Sequence, residues 1–428
     1  MSPAQPRAVP QPVRVDYRAG PPPPGPPPPA PLRVVTVIPG KEIEIAFVYK
    51  RTYDLDPAGG PPRASEEQPP LAEEEALHEP LLPGAPASFR QLPEVVGLKT
   101  GTDVVVQGAA RPPRPVREWL VSVAVGPYVH RAGVFGRRVC ERAGGRIAFT
   151  PPEVFEEMPL RMENAYGGRD PAFERAFTAD VEARVAPEAM RRARPSLQAI
   201  FGQAHPLMYP RNRFGKGYVL NAAAPEVEGR ELPNVERPDD LLTPERLALS
   251  DPLDWTRQPL PACFDWLDAA SFPRCAFLGL PPPASRPLGD DIAEVRGGLI
   301  PAGYSLGNLL GRPSARVGEV VHPWASRSAQ PGLCLPFLSG DEWIVLAGMD
   351  PGRVEWRVPL PRERPEFTLP AGLSPDPVLA GRLHLVFVDV DARRLSLVWS
   401  GRAPLRTTLL PGQTAEIAAA GHLRMIGF

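Results

Sequence analysis

The sequence predicts a mainly β protein, α+β at most, composed of antiparallel β-sandwich-like lobes with long Pro-rich loops and few short helices. The first observation is composition. The 428 residues include 61 prolines and 38 glycines, which interrupt helices and keep them short. The second is a succession of short Val-rich runs, each bounded by Gly or Pro, which is typical of antiparallel strands. A hydrophobic content of 43% is sufficient for a packed core.

The N-terminal segment, residues 1–31, is predicted to be a disordered Pro-rich arm. It ends in GPPPPGPPPPAP, and consecutive prolines form neither helices nor sheet ladders because they lack the amide N–H and fix φ. Such an arm is either a solvated spacer or a ligand for an aromatic groove, and both roles stay open.

Residues 32–240 are predicted to form an N-terminal β-rich lobe. Its first two strands lie on either side of Pro39 and Gly40, where a β-branched run is followed by the alternation Glu-Ile-Glu-Ile. Within this lobe, residues 57–86 are acidic as well as Pro-rich, a composition that predicts a mobile loop. Residues 171–201 are the best helical candidate, and their prolines divide them into short helices.

Residues 241–332 are rich in Pro and Trp and predict a loop-rich variable segment. A C-terminal β-rich lobe follows over residues 333–428. Its clearest feature is LHLVFVDVDARRLSLVW, in which Asp391, Ala392 and Arg393 form the turn of a hairpin between two apolar strands.

The charge balance argues against partners that require a strong electrostatic field. Lys and Arg number 48 and Asp and Glu number 49, so the net charge is −1 and nucleic acid is not an expected partner. No apolar run reaches the length of about eighteen residues that a membrane span requires, and the N-terminus lacks an apolar signal region. We therefore expect a cytoplasmic protein without membrane insertion.

Cysteine and histidine spacing predicts neither a disulfide framework nor a metal or cofactor site. The four cysteines are irregularly spaced, and none belongs to a CxxC pair. The six histidines never stand four residues apart or beside a cysteine at ligand spacing. The expectation is reduced thiols and no cofactor.

The sharpest enzymatic pattern is the segment from Gly303 to Gly307, GYSLG, which matches the nucleophile elbow of serine hydrolases. A nucleophile elbow needs a preceding strand, and Pro301 interrupts the place where that strand should be. A serine hydrolase that uses Ser305 is therefore the alternative to a protein without catalytic activity. A β-sandwich binding module is a further alternative.

Seven tryptophans lie mostly in strand patterns. Core packing is the expected role for such residues. It stays open that one or two of them anchor a partner.

Several turn-rich blocks occur in an order that resembles the bacterial domain of unknown function 2169 family, which accompanies type VI secretion loci. They cover most of the chain outside the Pro-rich arm. The most specific are KTGTDVVVQG, MPLRMENAYGG with NRFGKGY, and LPNVERP. In chain order the blocks are VYKRTYDL (48–55), EEQPPL (66–71), KTGTDVVVQGAA (99–110), MPLRMENAYGGRD (158–170), NRFGKGYV (212–219), LPNVERPDDLL (232–242) and LSGDEWIVLAGMDP (338–351).

The resemblance implies a non-enzymatic adaptor or chaperone. Such a protein holds a toxic effector and loads it onto the secretion spike, through a PAAR tip or the VgrG shaft protein. The family offers no catalytic residues to carry over. The chain departs from its relatives over residues 254–332, where many of them carry a Trp-rich stretch and a Gly-Thr-Tyr-Asp block, so the cargo cannot be inferred.

The matched blocks supply the candidate partner-binding or motif residues. Within KTGTDVVVQG, the lysine and the aspartate are expected to pair. In MENAYGGRD, the two glycines permit unusual φ values, and Arg161, Glu163 and residues 169–170 are expected to form a charged network. The asparagines, Lys216 and Glu236 lie on loops that are expected to gather beside this network. These polar loops are expected to hold the fold together, with direct partner contact as the alternative, and two tyrosines are the candidates for an interface. The full set is Lys99, Asp103, Arg161, Glu163, Tyr166, Gly167, Gly168, Asn212, Lys216, Tyr218, Asn234 and Glu236.

Overall fold

The structure is a computed structural model, and it describes most of the chain with several gaps. The Pro-rich arm, the helical candidate 171–201, most of the variable segment and the motif around Ser305 lie outside the described residues. The predictions for those segments stay predictions. The described residues are 32–37, 43–96, 99, 101–168, 212, 214–219, 227–247, 259, 261–267, 328–330, 332–407, 409–410 and 412–427.

The described part of the chain is mainly β, as predicted, with two short α-helices. The strands are β1 (Leu32–Val37), β2 (Glu44–Asp54), β3 (Arg63–Ala64), β4 (Ala76–Leu77), β5 (Phe89–Gln91), β6 (Thr102–Gln107), β7 (Ala109–Ala110), β8 (Glu118–Val125), β9 (Tyr128–Phe135), β10 (Cys140–Ala143), β11 (Arg146–Phe149), β12 (Met158–Pro159), β13 (Tyr166–Gly167), β14 (Lys216–Gly217), β15 (Val235–Glu236), β16 (Cys334–Leu335), β17 (Trp343–Asp350), β18 (Arg353–Pro359), β19 (Glu363–Thr368), β20 (Val378–Ala380), β21 (Arg382–Asp389), β22 (Arg394–Pro404) and β23 (His422–Gly427). The helices are α1 (Pro244–Leu247) and α2 (Gln413–Ala420), and one 3₁₀ turn spans Met162–Asn164.

Two sheets contain most of the strands. The large sheet has the order β1-β2-β22-β21-β6-β16, with β3 added beside β2. The five-stranded sheet has the order β15-β9-β8-β17-β18. The pairing in both is antiparallel except between β6 and β21, which run parallel. The two hairpins predicted from the sequence are present, β1–β2 and β21–β22, and Arg393 in the second turn has a φ of +53°.

The two sheets pack face to face around one hydrophobic core. Valines of β6 and β8 belong to the same cluster of buried residues, as do leucines of β21 and β22. Every residue of β6 is buried, which explains why its valines occupy consecutive positions rather than alternate ones. Burial of each such side chain contributes roughly 1.5–3 kcal/mol.

A three-stranded sheet, ordered β20-β19-β23, covers one end of the large sheet together with α2. Its contact with the large sheet is centred on Phe47 of β2 and Phe367 of β19, whose ring centroids lie 5.6 Å apart. This second core leaves a groove along the junction between the two sheets.

The N-terminal and C-terminal segments both contribute to each large sheet. β2 pairs with β22 along its whole length, and β8 pairs with β17. The segments 32–240 and 333–428, assigned to two lobes from the sequence, are therefore interleaved. Alternation of apolar residues indicates which face of a strand is buried but not which strand lies next to it.

The acidic segment 57–86, expected to be a mobile loop, lies against the body of the protein. The side-chain amide of Gln68 forms two hydrogen bonds with the backbone of Thr52. Its oxygen accepts from the N–H of Thr52 at 2.9 Å, and its nitrogen donates to the carbonyl oxygen of Thr52 at 2.9 Å. Further along, Nε2 of His78 is 2.6 Å from the carboxylate of Asp265. Proline keeps this segment irregular, and side-chain hydrogen bonds hold it in place. We call it the acidic strap.

Candidate functional site

Lys99 and Asp103 form the ion pair expected from the sequence. The distance between Nζ of Lys99 and Oδ2 of Asp103 is 2.5 Å, and both side chains are buried. The same carboxylate accepts hydrogen bonds from the amide N–H of Ser328 at 2.7 Å and from its hydroxyl at 3.0 Å. The pair therefore joins the start of β6 to the end of the variable segment, in the interior of the protein.

Arg161 and Glu163 do not form the charged network that was expected. The carboxylate of Glu163 accepts hydrogen bonds from the backbone N–H of Ser88 at 2.6 Å and from its hydroxyl at 2.7 Å. Arg161 instead donates to the carbonyl oxygen of Glu79 at 2.9 Å. The 3₁₀ turn places Glu163 inside and Arg161 at the rim, so they diverge. Residues 169–170 lie outside the described part of the chain.

Gly167 and Gly168 stand where two loops cross. Their φ values are +147° and +117°, which side chains disfavour. A Cβ on Gly167 would lie 2.1 Å from the carbonyl oxygen of Asn212, so the crossing is too close for any other residue. The amide N–H of Gly168 donates to that same oxygen at 2.9 Å. The glycines allow β13 and β14 to pair in parallel here.

Asn212 holds the crossing together with its side-chain amide. Its Nδ2 donates to the carbonyl oxygens of Met162 at 2.7 Å and Tyr166 at 3.1 Å. Its Oδ1 accepts from the amide N–H of Phe214 at 3.0 Å. Because Asn212 is buried, these bonds satisfy backbone groups that water does not reach.

Lys216 and Asn234 add a third loop to the crossing. Nζ of Lys216 donates to Oδ1 of Asn234 at 3.0 Å, and Nδ2 of Asn234 donates to the carbonyl oxygen of Phe135 at 3.1 Å. The backbone N–H of Asn234 also donates to the carbonyl of Asn164 at 2.8 Å. We define the loop crossing as residues 162–168, 212, 214–218 and 232–236.

Glu236 closes the loop crossing on the side of the five-stranded sheet. It contacts Arg138 and accepts a hydrogen bond from the backbone N–H of Leu242 at 2.6 Å. Burial raises the pKa of Glu236, and Arg138 offsets that effect in part. The carboxylate therefore serves to fix two loops.

Tyr166 and Tyr218, the two candidates for an interface, are both buried. Their exposed fractions are 5% and 4%, so neither ring is available to a partner in this structure. Aromatic residues beside glycine in a loop are expected at a surface. The interface role of these two residues stays a prediction, and it requires that the rings become exposed.

The candidate residues thus build the interior of the fold. Of the twelve, eight are buried and the other four are intermediate in exposure: Lys99, Arg161, Gly168 and Lys216. The structure brings most of them together in the loop crossing, with Lys99 and Asp103 forming a second group.

An exposed apolar surface lies on the outer side of the five-stranded sheet. Trp343 is 51% exposed, Leu120 53% and Val129 48%. Val345, Ala124 and Val129 stand side by side on neighbouring strands. The same side of the sheet also presents Ser122, Arg131, Glu355 and Arg357. We define the apolar face as the apolar residues of this side: Leu120, Ala124, Val129, Trp343, Val345 and Ala347.

The sequence contained one signal for this surface. In LVSVAV of β8 and WIVLA of β17, every residue except Ser122 is apolar, whereas a half-buried strand alternates with polar residues. Core packing was the expected role for strand tryptophans, with one or two left open as partner anchors, and Trp343 is exposed. Trp356 and Trp399, by contrast, are buried as expected.

Reactive side chains are few in the part of the chain that is described. Burial raises the pKa of Cys140 to about 11 and that of Cys263 well above its usual range, so neither thiol is a ready nucleophile. Within the described ranges, no cluster of three His, Cys, Asp or Glu side chains has the arrangement of a metal site. No helix among these residues is long and apolar enough to span a membrane.

Comparison with protein families gives a match over most of the chain. The family described as "Uncharacterized protein conserved in bacteria (DUF2169)" matches residues 40–400. No curated protein and no solved structure matches the chain. The matched range contains the loop crossing, the Lys99–Asp103 pair and the apolar face.

Proposed function

The chain belongs to the bacterial DUF2169 family, and from this premise we propose that it is a non-enzymatic adaptor that binds a toxic effector protein. It acts in the cytoplasm and loads the effector onto the PAAR or VgrG spike of a type VI secretion system. The role in secretion comes from the resemblance of the ordered sequence blocks. The apolar face supports the binding of a protein partner.

The apolar face is the observation that carries the proposal. Water-exposed apolar residues grouped on one surface are typical of contacts between proteins. Tryptophan is frequent among the residues that dominate binding energy, and Trp343 stands at the edge of this face with half of its surface exposed. A sheet face presents a wide, rigid surface, which suits an effector that must be held without turnover.

The loop crossing supports the proposal indirectly. Most of its motif side chains are buried and hydrogen-bonded within the protein, which suits a role in maintaining the fold. Partner contacts then fall on exposed residues, where different effectors can be accommodated by different surfaces.

The proposal is tested by capture of the proteins encoded beside this chain. A tagged chain is expected to retain a neighbouring effector and a PAAR-type protein. Trp343→Glu should weaken effector retention at least tenfold, since it places a charge in the apolar face. Leu410→Glu is the matched control, because Leu410 is 68% exposed and precedes α2, outside the five-stranded sheet.

Two results would contradict the adaptor role. One is that no complex forms with any neighbouring effector or spike protein. The other is that effector secretion is unchanged after deletion of the chain. If Trp343→Glu and Leu410→Glu bind the effector equally well, the apolar face is not the binding surface.

The serine hydrolase alternative depends on Ser305, which lies outside the described residues. A fluorophosphonate probe tests it directly. Labelling of the wild-type chain that is lost in Ser305→Ala would favour a hydrolase over the adaptor.

A further inference from the structure

A groove runs along the junction between the large sheet and the three-stranded sheet. It consists of two adjoining cavities of about 400 Å³ and 350 Å³. Phe337 and Arg382 line both cavities, so the two form one continuous groove. Apolar side chains of Leu338 and Ile426 line the larger cavity.

The charged side chains that line this groove are all cations. They come from both sheets and from the segment before β6, and no carboxylate is among the described lining residues. The described charged side chains that face the groove are therefore basic, although the whole chain has a net charge of −1. We define the basic groove by its cations Lys99, Arg364, Arg382 and Arg402 together with Phe337.

Three of the four cations are paired with carboxylates behind the groove. Lys99 contacts Asp103, as described above. Arg402 is 2.9 Å from Glu44. Arg364 is 3.6 Å from Glu366, and Glu366 forms a second ion pair with Arg424 of β23. Ion pairs hold these side chains in position and reduce their capacity for a further anion.

Arg382 differs from the other three cations. Its guanidinium lies over the ring of Phe337, 5.5 Å from the centroid, and forms no ion pair with any described carboxylate. The residue is exposed and lies opposite Ser400 in the β21–β22 ladder. Stacking on an aromatic ring orients an arginine while leaving its N–H donors free for an anion. Arg382 is thus the place where an incoming carboxylate would be bound.

We propose that the basic groove binds an acidic peptide segment of a partner protein, with a carboxylate on Arg382 and a neighbouring apolar side chain against Phe337 and Ile426. Charge complementarity favours an acidic ligand, and the apolar wall favours a peptide over a free phosphate. The inference rests on the proposed function in that the partner is a protein. The groove is separate from the apolar face, which belongs to the five-stranded sheet.

The test measures binding of a defined probe to the full chain. The probe is a fluorescein-labelled peptide of ten glutamates with one phenylalanine in the centre. Its binding to the chain is measured by fluorescence anisotropy. Arg382→Glu is expected to weaken binding about tenfold or more, the loss that one charge-assisted contact produces. Arg146→Glu is the matched control. Arg146 is exposed on the β10–β11 hairpin, and its substitution changes the net charge by the same amount as Arg382→Glu.

Each outcome either supports or overturns the groove. The proposal is supported if Arg382→Glu alone binds the probe more weakly and this variant unfolds at the wild-type temperature. If Arg382→Glu and Arg146→Glu weaken probe binding equally, the chain binds the probe through net charge alone and the proposal is overturned. Equal binding of a glutamine version of the peptide, or displacement of the probe by millimolar inorganic phosphate, also overturns it, because the site would then recognise something other than an acidic peptide.

This experiment is independent of effector capture. If the chain retains no effector but binds the probe through Arg382, the adaptor proposal fails while the groove stands. If it retains the effector and does not bind the probe, the groove fails while the adaptor proposal stands.

Discussion

Acidification is expected to destabilise the protein through His384, which is buried in β21. The imidazole is 1% exposed, and its Nδ1 lies 3.0 Å from the hydroxyl of Ser400. Burial, aided by repulsion from Lys99, lowers the pKa of His384 from 6.5 to about 3. Between these two values the unfolded chain binds a proton that the folded chain does not. Lowering the pH through this range therefore favours unfolding.

The size of the effect follows from the difference between the two states. At about pH 5 the unfolded imidazole is almost fully protonated, about 1.5 units below its ordinary pKa, while the folded one is neutral. At roughly 1.36 kcal/mol per unit, His384 then lowers the free energy of unfolding by about 2 kcal/mol relative to pH 7.5. The result is insensitive to the folded pKa as long as that value lies well below 5.

The assay is urea unfolding of the wild type and of His384→Gln at the two pH values. Glutamine keeps a polar group beside Ser400 and does not titrate. We expect the pH-dependent loss of stability to be about 2 kcal/mol smaller in His384→Gln than in the wild type. His422→Gln is the control, since His422 is exposed on β23 and its replacement should leave the wild-type profile unchanged.

The reasoning is refuted if wild type and His384→Gln lose the same stability between pH 7.5 and pH 5. That result would mean that the folded protein accepts the proton on His384 without cost. If His422→Gln also loses less stability than the wild type between pH 7.5 and pH 5, the difference cannot be attributed to the buried His384.

Two further predictions concern the interior. Gly167→Ala should lower the free energy of unfolding by more than about 2 kcal/mol, because its Cβ would lie 2.1 Å from the carbonyl oxygen of Asn212. Gly84→Ala, also at positive φ but in open space, should cost only about 1 kcal/mol, and equal losses in urea unfolding would contradict the argument. Lys99→Met should cost about 3–5 kcal/mol by leaving the carboxylate of Asp103 buried without its cation. Adding Asp103→Leu should recover part of that loss; a single-variant loss below about 1 kcal/mol would show that the ion pair is not required.

Local features of the fold were predictable from the sequence because they depend on neighbouring residues. The hairpin at residues 390–393 combines two apolar runs with a short polar turn, and Arg393 takes the positive φ of that turn. The strand β8 and its partner β9 were likewise indicated by Val-rich runs on either side of Gly126. Turn chemistry and alternation are sufficient for such pairs.

The arrangement of distant strands was not predictable in this way. The pairing of β2 with β22 joins segments that lie in two different predicted lobes, and no local pattern specifies it. The acidic strap was missed for a related reason. Its composition resembles a free loop, but His78 meets a carboxylate, Asp265, from a segment 187 positions later.

The candidate site was predictable in part. The ordered sequence blocks supplied the residues that gather in the loop crossing, and the two glycines of MENAYGG mark a place where backbones approach closely. The sequence did not reveal that Tyr166 and Tyr218 are covered, since burial of a loop depends on the other loops that pack over it. It left one or two tryptophans open as partner anchors but did not single out Trp343, because a strand pattern does not specify which face of the sheet is covered.

The pairing of β2 with β22 also bears on how the chain acquires its fold during synthesis. Thr52 and Ser396 face each other in this ladder at 3.0 Å, yet 344 positions separate them. At roughly 5–20 residues per second, a ribosome needs about 20 to 70 seconds to add that length. Throughout this interval the apolar strands that emerge first lack the neighbours that will cover them. The ladder between β2 and β22 can therefore form only after most of the chain has been synthesised, and pairings between segments so distant are expected to slow folding.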